Sequence, residues 1–148
     1  MKIVLQRVTE ARVEIDGEVV GRINHGLLIL LGIAQNDTPS EIEWGVAKVR
    51  DLRIFSDSEG KFNLSLDEVS GDALVVSQFT LLGDAQKGRR PSFVSAAPPE
   101  VAIPLYELFV RKLREKGTEV QTGLFGAKMA VHLDNDGPVT IILEKSAK

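Results

Sequence analysis

The chain has 148 residues and a formal charge of −3 at neutral pH. That length suits one domain, and the acid excess excludes a protein that coats nucleic acid through a uniformly basic surface. Cysteine is absent, which excludes disulfides, thiolate metal sites and a cysteine nucleophile.

Residues 2–15 alternate loosely, with Ile3, Leu5, Val8, Val13 and Ile15 as the apolar set, and read as a strand. Asp16-Gly17 is a hairpin signal, and residues 19–23 return as the second strand. After the turn Asn24-His25-Gly26, residues 27–34 are almost wholly apolar and read as a central strand. The run at 27–31 is far too short to span a bilayer, and nothing like a signal peptide opens the chain, so a cytoplasmic protein is expected. Thr38-Pro39-Ser40-Glu41 opens a helix, with Thr38 at the N-cap, Pro39 in the first turn and Glu41 completing a capping box. Ile42, Val46 and Val49 form its apolar stripe, and it fades near residues 50–53. Residues 53–56 read as a short strand, 57–60 as a turn, and 62–66 as a strand pairing back.

Ser70-Gly71-Asp72 is a turn before a strand over residues 73–81. Residues 83–99 form a loop of a length that is usually functional or mobile in a compact domain. Pro99-Glu100 starts the second helix, with Val101, Leu105, Leu108, Phe109 and Leu113 on one face and Gly117 as its stop. Residues 118–122 read as a strand. Residues 127–133 alternate, with Met129, Val131 and Leu133 on one face; 134–138 read as a turn, 139–143 as the last strand and 144–148 as a charged tail. The pattern predicts one α+β domain over residues 1–148, its largely antiparallel sheet rolled toward a barrel, with two main helices.

Two stretches stand out. One is the strand that ends Ser77-Gln78-Phe79-Thr80-Leu81, beside the long loop; the other is Asn135-Asp136-Gly137-Pro138-Val139-Thr140. A buried strand delivering small polar residues to its end is a common way to build a site. A serine hydrolase would need a base, but the chain has only His25, in a turn, and His132, opposite the apolar face of its strand. Both read as surface residues. No metal site, phosphate loop or dinucleotide fingerprint is evident, so no metal and no cofactor are expected. Ser77 and Thr80 are candidate nucleophiles or donors, or else hydroxyls satisfied at a strand end. Gln78 could read a polar ligand or face solvent; Phe79 could floor a pocket or join the core. Lys87, Arg89 and Arg90, with Phe93 nearby, suit phosphate contacts and base stacking as well as a solvated loop. Gly137-Pro138 reads as an ordinary trans turn proline; were it cis instead, its two carbonyls would lie close and roughly parallel, a chirality gauge that needs no side chain.

These two motifs resemble the signatures of the D-aminoacyl-tRNA deacylases. Gln6-Arg7-Val8, Gly26-Leu27-Leu28, Arg53-Ile54-Phe55-Ser56, Arg90-Pro91-Ser92-Phe93 and Gln121-Thr122-Gly123 leading to Met129 extend the similarity over nearly the whole chain. The resemblance implies hydrolysis of the ester between a D-amino acid and the 3′-terminal adenosine of tRNA, and clearance of glycine mischarged onto tRNA(Ala). It implies a homodimer in which Gly137 and Pro138 reach into the partner subunit's site and reject L side chains, with Arg7 helping to hold them. Ser77, Gln78, Phe79 and Thr80 would line the substrate pocket and Met129 would add a wall. Catalysis would come largely from the tRNA 2′-OH, with backbone N–H groups of Phe79 and Thr80 as oxyanion donors. Two other readings stand beside this one: a non-catalytic RNA-binding module using Lys87, Arg89 and Arg90, and a small-molecule esterase with Thr80 or Ser77 as nucleophile.

Overall fold

The first strand, β1 (Lys2–Ile15), is hydrogen-bonded along both edges. The computed structural model describes residues 1–147. After β1 come β2 (Glu18–Ile23), β3 (Gly26–Gly32), α1 (Pro39–Asp51), β4 (Phe55–Ser56), β5 (Phe62–Leu64), β6 (Asp72–Ser77), α2 (Pro99–Glu115), β7 (Val120–Thr122) and β8 (Ala130–Glu144). One edge of β1 carries β8, from Lys2 opposite Glu144 to Glu14 opposite Ala130. The other carries β3 against its first half and β2 against its second.

Beyond β3 the sheet continues with β6 and then β7, both parallel. Parallel neighbours need a long crossover, and the two helices supply one each. β7 in turn comes alongside β2, so the mixed sheet nearly closes into a barrel. The α+β class and the rolled sheet are as expected; three of its pairings are antiparallel and two are parallel. The β4–β5 hairpin stands apart as its own small sheet.

The sheet separates two apolar clusters. Ile3, Leu5, Leu27, Ile29, Leu31, Ala73 and Val75 pack with α1 and α2 on one face. Val8, Ala11, Val13, Ile23, Leu28, Leu74 and Val76 fill the other, with Met129, Val131 and Leu133 at its margin. Covered on both faces, β3 and β6 are apolar without alternation. In β1 the alternation inverts: Ile3 and Leu5 face the helices, whereas Ala11 and Val13, of the same parity, face the inner cluster. The register against β8 shifts between Val8 and Glu10, the place where a bulge exchanges the faces.

Helix α1 begins as expected. Glu41 accepts from the N–H and hydroxyl of Thr38 at 2.7 and 2.9 Å, and Thr38 Oγ1 accepts from the Ser40 N–H. The Thr38 backbone donor, more than any other group, holds the Glu41 carboxyl below its usual range. Four sequence expectations change. The strand over 73–81 stops at Ser77 and becomes a single 3₁₀ turn, Phe79–Leu82. The turn over 134–138 is an interruption within one long strand, because β1 pairs with both sides of it. The buried face of α2 is Ala102, Leu105, Tyr106, Phe109, Val110 and Leu113, leaving Val101 and Leu108 at its margin. The tail is tied back by the Lys145 N–H to the Met1 carbonyl at 3.1 Å, while Lys148 lies outside the described residues. Among the described residues no helix is long and apolar enough to cross a membrane.

The α2 face is set by Tyr106, whose hydroxyl donates to the buried Val75 carbonyl at 2.8 Å. Burial pushes its pKa up to about 12, against a smaller opposing pull from Arg114. A raised tyrosine pKa contributes stability that is whole below pH ~10 and is lost as pH rises toward about 12. Urea unfolding should therefore show stability falling across that window. Tyr106→Phe should flatten this fall and cost about 1 kcal/mol at neutral pH, through the lost hydrogen bond.

Candidate functional site

The end of β6 builds the first assembly. The Gln78 N–H bonds the Leu31 carbonyl at 2.8 Å and carries the parallel ladder one step past Ser77. The chain then folds over the end of β3 in the 3₁₀ turn, with Leu82 buried beneath it. Gly32 makes room for this: a Cβ there would lie 2.6 Å from Leu82 Cδ2 and 3.0 Å from the Gln78 carbonyl.

The first backbone bond of the turn runs from the Leu81 N–H to the Gln78 carbonyl at 3.2 Å. Among the described residues the N–H groups of Phe79 and Thr80 therefore have no acceptor. They are the unsatisfied donors that any helical start leaves behind. The Gln78 carboxamide donates to Thr80 Oγ1. Phe79 is 54% exposed as a residue, and its ring packs edge-on to Phe93, centroids 5.2 Å apart. Beside the turn lies a cleft of about 240 Å³, lined by Ser77, Gln78 and Phe79 on one side and Phe125, Met129 and Val131 on the other.

The second assembly lies in β8. Gln6 pairs with Thr140 and Val8 with Asn135, so residues 136–139 stand against Arg7 alone. The surplus is pushed out of the sheet as an excursion with Gly137 and Pro138 exposed at its tip. The Gly137-Pro138 peptide bond is cis. Asn135 closes the base: its Oδ1 accepts the Val139 N–H at 2.7 Å, and its Nδ2 donates to the Val139 carbonyl at 3.3 Å and to Thr140 Oγ1 at 3.2 Å. The side chain thereby supplies the pair of bonds that the ladder lacks at this point.

Arg7, only 7% exposed, braces the excursion from below. Its Nε donates to the Asp136 carbonyl at 3.0 Å and lies 3.5 Å from the Asp136 carboxylate. Its Nη1 donates to the Ile54 carbonyl at 2.9 Å and Ser56 Oγ at 3.3 Å, and the guanidinium lies over the Phe62 ring. Only a planar fork of donors can reach partners on β8 and on the β4–β5 hairpin at once. Gly137 has φ +140°, and a Cβ there would lie 2.7 Å from Val139 Cγ2 and 3.3 Å from an Arg7 Nη.

The structure thus brings Ser77, Gln78, Phe79 and Met129 around one cleft, with Thr80 on the adjoining turn. Arg7, Gly137 and Pro138 form a second group that does not line that cleft. His132 Nε2 faces Glu14 at 2.7 Å, and His25 packs edge-on to Phe55, so neither imidazole attends Thr80. Among the described residues no group of three or more His, Cys, Asp or Glu is placed to hold a metal ion. Phe125 and the bracing role of Asn135 escaped the sequence reading. Phe125 is a lone aromatic in a glycine-containing loop, and Asn135 in an Asn-Asp-Gly-Pro run looks like ordinary turn chemistry.

Residues 4–144 match the family model described as D-Tyr-tRNA(Tyr) deacylase. A protein of Brevibacillus brevis named D-aminoacyl-tRNA deacylase is 58% identical, over 97% of this chain and 99% of its own length. One of the same name from Acaryochloris marina is 53% identical over 100% and 98%. Among solved structures, the c-Myc DNA Unwinding Element Binding Protein superposes with a TM-score of 0.94 at 44% identity, covering 99% of this chain and 100% of that one. A probable eukaryotic D-amino acid tRNA deacylase shares the fold, with a TM-score of 0.81 at 20% identity over 96% and 97%.

These matches define the class, a deacylase, which is a hydrolase that cuts acyl esters. The chain belongs to the D-Tyr-tRNA(Tyr) deacylase family.

Because Arg7 joins the excursion to the hairpin and leaves little unsatisfied, Arg7→Ala should strand the Ile54 carbonyl and loosen residues 136–139. The expected cost is about 2–4 kcal/mol in urea unfolding. Hydrogen exchange should rise at Val139 more than at the far end of β8.

Proposed function

We propose that the chain hydrolyses the ester joining a D-amino acid to the 3′-terminal adenosine of tRNA, releasing the D-amino acid and free tRNA. The observation that carries this reading is the pair of adjacent N–H groups at Phe79 and Thr80 that have no acceptor among the described residues, beside a cleft whose described lining holds no carboxylate, amine or imidazole. Two donors fixed by a turn can receive the charge that develops on an ester carbonyl oxygen as it becomes tetrahedral. Ser77, Gln78 and Met129 hold the substrate, and the turn orients the ester against the donors. The terminal ribose 2′-OH of the tRNA, next to the ester in its own substrate, supplies the catalysis that no side chain is placed to supply.

Chirality is sorted by Gly137 and Pro138 of the partner subunit in a homodimer. The exposed tip, its bracing by Arg7 and its separation from the chain's own cleft all support this arrangement. The backbone carbonyls receive the substrate amino group and leave no room for an L side chain. A clash worth a few kcal/mol discriminates by orders of magnitude. Achiral glycine carries nothing to reject, so glycine mischarged on tRNA(Ala) is cleared as well. The proposed compartment is the cytoplasm, where the substrate arises.

The test compares the half-lives of D-tyrosyl-tRNA and L-tyrosyl-tRNA with catalytic amounts of protein. Rapid loss of the D-ester alone is expected; equal loss of both would remove the chirality gauge, and loss of neither would remove the hydrolase. Thr80→Ala should keep most of its activity, since the hydroxyl meets Gln78 rather than a base. Inactivation of a folded Thr80→Ala protein would instead make the threonine a nucleophile. Gly137→Ala, whose Cβ must displace Val139 or Arg7, should admit the L-ester.

A further inference from the structure

We infer that the loop over residues 84–92 is a docking element for the phosphodiester backbone of RNA that approaches the cleft. The inference rests on the proposed substrate and deepens it, since it assigns a second point of contact to the same RNA.

The loop is a finger closed at its base and tied to its neighbours. Asp84 and Ser92 exchange both backbone hydrogen bonds, at 2.7 and 2.8 Å, and close the loop at its base. Asp84 Oδ1 accepts the Gln86 N–H at 2.9 Å inside it. Behind the bridge the chain is tied to the segment after β3: the Gln35 N–H bonds the Ser95 carbonyl at 3.0 Å, and the Ala97 N–H bonds the Ile33 carbonyl at 2.9 Å. Phe93, the first residue past the bridge, packs against Phe79 of the 3₁₀ turn. The base of the finger therefore abuts the lip of the cleft.

The finger carries Lys87, Arg89 and Arg90, all exposed. Among the described residues none of the three is in an ion pair or a side-chain hydrogen bond. The nearby acid, Asp84, is turned to the backbone. Lys128, also exposed and without an ion pair, sits in sequence between the cleft-lining Ala127 and Met129. A chain of net charge −3 thus presents cations without ion pairs among the described residues on a finger whose base meets Phe79, and another at Lys128, next in sequence to two cleft-lining residues. Three cations within four residues match a polyanion better than a single carboxylate. The half-exposed Phe79 and Phe93 rings between finger and cleft offer a base a stacking surface.

The test uses the whole protein, the triple variant K87A/R89A/R90A and the charge-keeping double variant R89K/R90K. Binding of uncharged tRNA is measured against salt concentration. Hydrolysis is measured on D-tyrosyl-tRNA and on D-tyrosyl-adenosine, which has no phosphate. The triple variant should bind tRNA at least about tenfold more weakly, and its slope of log Kd against log salt should fall by about 0.7–0.9 per cation removed. The ratio of kcat/KM on the tRNA ester to that on the adenosine ester should fall about tenfold. The R89K/R90K variant should keep the wild-type slope. Unchanged tRNA affinity and slope in the triple variant would overturn the inference. So would equal losses on both esters, which would mean that the finger acts on the cleft through Phe93. Should the wild-type protein cleave neither ester while the triple variant still binds tRNA more weakly, the docking finger stands and the hydrolase reading falls.

Discussion

A strand that is hydrogen-bonded on both edges cannot change register on one edge without answering to the other. That constraint on β1 organises this molecule. β3 and β2 hold one edge from Lys2 to Ile15, so when β8 arrives on the other with surplus residues opposite Arg7, the ladder cannot slide to absorb them. The surplus leaves the sheet instead. Asn135 closes the gap and Arg7 props the excursion from below, linking it to β4 and β5. The residues on either side of the Gly137-Pro138 tip are thereby tied to the sheet that extrudes it.

The same sheet fixes the other assembly. β6 is parallel to β3 and buried on both faces, so the place where its ladder ends is set by β3, one residue past Ser77. There the backbone turns, and the N–H groups of the exposed Phe79 and Thr80 have no acceptor among the described residues. Neither histidine lines the cleft beside them. Despite the acid excess of the chain, Lys87, Arg89 and Arg90 lie together and exposed on the loop whose base meets the 3₁₀ turn.

Much of this could be read directly from the residues. The Asp16-Gly17 hairpin, the Thr38–Glu41 capping box, the start of α2 at Pro99 and the apolar run of β3 are local effects, decided by turn chemistry and by periodicity over a few neighbours. The two motifs were visible for the same reason, as polar or proline-containing breaks where strands should continue. Other features were not legible, because each depends on a partner distant in sequence. The parallel pairings of β6 require the helices as crossovers. The burial of Tyr106 rather than Leu108 depends on a carbonyl on β6. The continuity of β8 through residues 136–139 looked like a turn because only β1 can pair with both sides of it.

What the sequence by itself determined is therefore the list of elements and the chemistry available: no thiol, two histidines, two small polar motifs and a basic loop. What the tertiary structure alone decided is their arrangement. It opened a cleft between the end of β6 and Met129, left the N–H groups of Phe79 and Thr80 without an acceptor among the described residues, and set Gly137-Pro138 on a separate, braced projection. The reason is physical. Local propensity acts over a few residues, whereas register, burial and unsatisfied donors follow from which distant strand lies alongside.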